Sequence, residues 1–160
     1  MLMRVDCSRG FTLVELVVTL VLIGIIAAMG GSLFFSKQTF DQYGFYNETI
    51  SAVRYAQKLA VGTCSAVRVQ LTANSYGLFR AAAAPAGGCN IPCTDPGTGT
   101  PVTNLTDPAR NFSNTAPSGV AITPANIVFC PLGNTLGNVD ANVAVGGQAF
   151  KVWGITGFVR

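Results

Sequence analysis

With 160 residues, 49% of them hydrophobic and only 11% charged, the chain is too poor in charge for a free cytosolic protein and suits a subunit packed against others. It has no histidine, which excludes any Ser-His or Cys-His catalytic arrangement. A formal charge of +3 is too small to argue nucleic-acid binding from charge alone. Carboxylates are few, and only Glu15 has a special setting, so no enzyme and no cofactor are expected.

Residues 1–10 are short, carry Arg4 and Arg9, and end in Gly10. Residues 11–35 follow as an apolar run whose only clearly polar side chains are Thr12, Glu15, Thr19 and Ser32. As a helix that run spans about 37 Å, enough to cross a bilayer core of roughly 30 Å. A carboxylate inside it costs roughly 2.5–3.5 kcal/mol even on lenient insertion scales, so Glu15 needs a partner or a function. An ordinary secretory signal is cleaved after its apolar region. Here the candidate cleavage site, after Gly10, precedes that region.

Gly10-Phe11-Thr12-Leu13-Val14-Glu15, with the long apolar tail behind it, resembles the leader of the type IV prepilin family. The resemblance implies a prepilin peptidase that cuts after Gly10 and methylates the new amine of Phe11. It makes residues 1–10 a cleaved leader and residues 11–35 both membrane anchor and fibre core. Loss of Arg4, Arg9 and Asp6 with the leader moves the formal balance from +3 to +2, 8 basic against 6 acidic. The new α-amine is cationic near neutral pH. A neighbouring subunit's amine then neutralises Glu15 in a low-dielectric setting, where the pair is much stronger than in water.

Residues 36–62 are expected to continue as an amphipathic helix, with Tyr46, Ile50, Val53, Gln57 and Ala60 on one face and a candidate bend at Gly44. Residues 63–160, the bulk of about 125 residues outside the anchor, make one small β-rich head. Residues 66–71 alternate with period two, and residues 76–80 are their antiparallel partner across a turn at Asn74 and Ser75. Regular periodicity then stops over residues 81–118, a long cysteine-containing loop. Asp95, Asp107 and Asn104 offer oxygens there, without the Glu-terminated loop that calcium usually takes. Residues 119–123 alternate briefly, and residues 141–145 and 148–153 read as a hairpin around Gly146-Gly147.

Cys7 goes with the leader, leaving Cys64, Cys89, Cys93 and Cys130. An even set in an exported domain reads as disulfides, and Cys64–Cys89 with Cys93–Cys130 is the favoured one of three pairings. The competing reading is a four-cysteine zinc site, for which only Cys89-x3-Cys93 has ligand spacing. No metal is expected.

Three later segments resemble the GspH/FimT group of pilin-like proteins: the helix end at 51–61, the turn at 126–133, and the terminal 153–160. The resemblance implies an α+β, type IV pilin-like fold: a long N-terminal helix, half transmembrane and half amphipathic, packed on an antiparallel sheet. It implies a minor pilin or pseudopilin, anchored by a single pass in the bacterial inner membrane with its head in the periplasm. The partners it implies are prepilin peptidase, other pilin or pseudopilin subunits and an inner-membrane assembly platform. Tyr55-Ala56-Gln57, the Cys64 that follows and the cysteine-bearing loop tilt the likeness toward the minor pilins of mannose-sensitive haemagglutinin (MSHA) pili. The alternatives are the pseudopilins of type II secretion and the FimT-like subunits that capture DNA. The last use a Gly-Arg-x-Arg tail. Gly157-Phe158-Val159-Arg160 lacks the first arginine and leaves Arg160 as the single candidate contact, so nucleic acid is not an expected partner.

Overall fold

The computed structural model describes residues 11–30, 37–81, 89, 93–104 and 106–160, with side chains at 28–30 left aside. The chain divides into two units, Met1–Lys37 and Gln38–Arg160.

The first unit contains α1 (Leu13–Gly30). Its 18 residues rise about 27 Å at 1.5 Å each, somewhat less than a bilayer core. No helix among the described residues is long and apolar enough to cross a membrane. The remainder of the expected 11–35 span lies outside them. Side chains of α1 are exposed on every side, among them Leu13, Val14, Leu20, Ile23 and Ile26. A helix apolar all round is built for burial in lipid or among other helices.

The second unit is a helix on antiparallel sheet, the α+β arrangement expected of the head. Helix α2 (Lys37–Thr63) runs through Gly44 without interruption. Its buried residues are Phe45, Thr49, Ile50, Ala52, Val53, Ala56 and Ala60. The face is therefore turned from the one expected. Tyr46 and Gln57 flank it half-buried, while Ala52, Ala56 and Ala60 let the helix seat closely. Thr49, the buried hydroxyl, donates back to the Phe45 carbonyl at 2.8 Å.

The main sheet runs β3 (Thr100–Pro101), β2 (Ser75–Arg80), β1 (Val67–Leu71), β5 (Ala125–Phe129), with β4 (Ser113–Thr115) also on β2. All pairs are antiparallel, with Val69 opposite Leu78 on one side and Ile127 on the other. Alternation puts Val67, Val69, Leu71, Leu78, Ile127 and Phe129 into one core with the buried face of α2. Fully burying a valine such as Val53 or Val69 is worth roughly 1.5–3 kcal/mol.

The loop expected over 81–118 is thus corrected: its second half returns twice to the open edge of β2. Val102 donates to the Leu78 carbonyl at 2.9 Å and Leu78 to the Phe112 carbonyl at 3.2 Å. Two- and three-residue strands carry no periodicity to read. The 119–123 segment is not a strand either. It bridges, with Ile122 donating to Ala73 at 3.0 Å and pairing with Val145. Strands β6 (Ala141–Val145) and β7 (Gln148–Val152) form the expected hairpin. Gly146 and Gly147 both have positive φ, 57° and 85°, as the tight two-residue hairpin turn requires.

Candidate assembly site and head surface

Gly10 lies outside the described residues. Phe11 and Thr12 precede α1, and Thr12 begins the helix physically. Its Oγ1 accepts from the Glu15 N–H at 3.3 Å while its carbonyl accepts from Leu16 at 3.2 Å. Thr12 is thus an N-cap, with Glu15 three residues on in the capping-box position. A carboxylate there is favoured by the partial positive charge of the helix N-terminus. Glu15 is exposed, as is Phe11 in front of it. Thr-x-x-Glu before an apolar run is the signal in the sequence that marks this cap.

Cys64 is bonded to Cys89 and Cys93 to Cys130, with Cα separations of 4.7 and 5.3 Å. Sulfurs bonded in this way offer no thiolates to a metal. Cys64 has φ 49°, and Ser65 donates to the Ala60 carbonyl at 3.3 Å, the bond that closes a helix with a left-handed residue just past its end. Glycine is the usual residue there, and a left-handed side chain costs roughly 1–2 kcal/mol. Cys64→Gly is therefore expected to melt at a higher temperature than Cys64→Ala, both without the 64–89 bond. Circular dichroism melting of the two variants checks this.

The oxygens considered for calcium are engaged one by one. Asp95 pairs with Arg68 at 3.4 Å and accepts from Gly97, Asp107 pairs with Arg110 at 3.3 Å and accepts from Ala109, and Asn104 accepts from Thr106. Arg160 is exposed, and its backbone pairs with that of Lys151 at 2.7 and 3.0 Å. Lys151 Nζ meets Asp140 at 2.8 Å and sits 5.4 Å from the Trp153 ring centroid. The cation beside Arg160 is therefore already paired.

Helix α2 grips the C-terminal segments through three side chains. Tyr46 donates to the Ala149 carbonyl at 3.0 Å and Arg54 to Val159 at 3.0 Å. Gln57 Nε2 donates to both Gly133 and Thr156 at 2.9 Å. This explains the one polar member of the expected face. Gly157, at φ 64°, leaves room for the grip, since a Cβ there would run into the Gly133 carbonyl and Gln57. Gln57→Ala leaves two carbonyls without their donor and is expected to cost roughly 1–3 kcal/mol, read as a lowered denaturant midpoint.

The Gly154 N–H at 2.7 Å, then Lys151, hold the Asp140 carboxyl below its ordinary value of 3.8. A depressed folded value gives stability that is present above the unfolded value and lost as pH falls through the folded one. Asp140→Asn is expected to flatten the stability loss below about pH 4, where free aspartate titrates. Acid melting curves of the two proteins test it. Burial, then the bond to Glu48 and its charge, push the Tyr76 hydroxyl well above its ordinary 10.0, so it remains a donor at neutral pH.

Residues 6–31 match the prokaryotic N-terminal methylation motif. The class defined at this end of the chain is thus that of proteins carrying this motif. The chain is also similar to the type IV minor pilin FimU of Pseudomonas aeruginosa strain PAO1 in its crystal structure. Identity is 12% and the TM-score 0.46, over 71% of this chain and 86% of that one. No curated protein matches the chain.

Proposed function

We propose that the chain is a minor pilin, processed by prepilin peptidase between Gly10 and Phe11, methylated at Phe11 and built into the start or tip of a type IV, MSHA-like pilus. Residues 11–35 hold it as a single pass in the bacterial inner membrane before assembly, with the head in the periplasm. Its role is structural. The observation that carries this reading is α1: apolar side chains exposed on every side, and one carboxylate, Glu15, in its first turn, inside the matched methylation motif. In a filament the same apolar surface packs helix to helix, and a neighbour's amine meets Glu15.

The test is the number of surface filaments on cells lacking the gene. Loss of filaments that returns with a plasmid copy supports the proposal. Normal filaments with defective protein export would move the chain to a type II secretion pseudopilus, which uses the same N-terminal device. DNA capture is the weaker reading, because Asp140 already neutralises the Lys151 next to Arg160.

A further inference from the structure

The first turns of α2 carry two aromatic side chains that the head does not use. Phe40 is 80% exposed and Tyr43 51%. They stand one turn apart, on the side of the helix opposite the buried Phe45 and Thr49. The other rings of α2, those of Phe45, Tyr46 and Tyr55, all pack on the core. Just ahead of Phe40 stands Lys37, exposed, and the first charged residue after Glu15.

The end of the head at which α2 begins is poor in charge. Two turns border the helix there. Gly119 lies beside Gln38, and Gly146 beside Gln42. The segments that carry these turns, 115–123 and 145–150, contain no charged side chain. The charges that α2 itself brings to this end are Lys37 and the half-buried Asp41.

Rings with an apolar body, a phenol with a wet end and a lysine on a flexible stem are the residues that settle at a membrane–water interface. The dimensions agree. Lys37 to Tyr43 covers about 9 Å of helix at 1.5 Å per residue. The headgroup layer on one side of a bilayer is roughly 5–7 Å deep. The rings also follow directly on the apolar run that ends at residue 35. A second protein would be the other cover for them. Lipid is favoured by that continuity, and by flanking turns that can settle among headgroups without stripping water from a charge.

We infer that Phe40 and Tyr43, with Lys37, form an interfacial belt that seats this end of the head in the lipid headgroup layer while the protein is held in the membrane. The inference rests on the single-pass reading of residues 11–35. It adds a lipid contact made by the head itself.

Trp153 is the single tryptophan, so the full chain with Trp153→Phe is a background for one probe at a time. The probes are Phe40→Trp, Leu22→Trp within α1, and Ile155→Trp. Ile155 is 77% exposed and next to Thr156, which Gln57 holds about 25 Å along α2 from Phe40. Each is placed, at high dilution so that copies do not meet, in phosphatidylcholine–phosphatidylglycerol vesicles whose acyl chains are brominated near the headgroup or near the tail end. The probe at 40 is expected to be quenched several-fold more by the shallow bromines than by the deep ones. The probe at 22 is expected to show the reverse, and that at 155 little quenching by either. Quenching at 40 no greater than at 155 overturns the inference and leaves the rings to a neighbouring subunit. Stronger quenching at 40 by the deep bromines also overturns it, since the rings would then lie in the hydrocarbon. An unquenched probe at 22 would overturn the single-pass reading itself, and the belt with it. The part played by the rings is read separately, from labelling of Lys37 by a membrane-impermeant amine reagent. Phe40→Gln with Tyr43→Gln is expected to raise it several-fold, with Lys58 unchanged. Unaltered labelling of Lys37 would show that the rings do not hold the head there.

Discussion

Glu15→Val is expected to lower the number of surface filaments about tenfold while leaving processing at Gly10 intact. A unit pair 4 Å apart at an effective dielectric near 20 is worth about 4 kcal/mol. Part of that is offset, because valine removes the desolvation cost that a buried carboxylate carries. A net loss near 1.4 kcal/mol per subunit contact is a factor of about ten in association. The Thr12 cap lies on the backbone and persists in the variant, so helix loss does not explain the defect. Filament counts by electron microscopy, beside immunoblots showing mature-sized protein, make the measurement. Wild-type counts would contradict the role of Glu15 in assembly.

Cys93→Ser with Cys130→Ser is expected to produce the largest stability loss in the head. The 93–130 bond closes a loop of 37 residues, for which chain entropy alone gives about 4 kcal/mol. Cys130 is 4% exposed, directly after β5, so the bond also ties the incoming segment to the edge of the main sheet. A fall in melting temperature on the order of 15 °C follows for a domain of this size. Melting of the variant with Cys64–Cys89 retained is the check. An unchanged melting temperature would mean that the 93–130 bond does not hold the head together.

What could be read from the sequence follows the physics of each segment. The apolar run behind Gly10, the long second helix, β1 with β2, and the β6–β7 hairpin with its two glycines all carry strong local signals. The helix face was placed slightly wrong because Tyr46 and Gln57 have apolar stems with polar ends. They pack at the edge of the buried stripe and send those ends to distant carbonyls, Tyr46 to Ala149 in β7 and Gln57 to Gly133 and Thr156 in loops. That grip is made across about a hundred residues, as in Gln57 to Thr156, and no local pattern announces it. Strands β3 and β4 were hidden for a related reason. They are short, exposed and held by pairing with β2, so composition reads them as loop. The Glu48–Tyr76–Asn114 cluster likewise joins three segments that only the fold brings together. At the N-terminus the reverse holds: Thr12 and Glu15 are the two ends of one readable four-residue pattern, Thr-x-x-Glu, in which the cap sits beside the lone carboxylate.

The proposed function requires that residues 1–10 be removed and that Phe11 begin the working protein. Intact-mass and N-terminal peptide mass spectrometry of the membrane-extracted chain tests it most directly. A chain starting at Phe11 with one methyl group on its amine is expected. A bulk population starting at Met1 or Met3, with residues 1–10 still attached, would contradict it.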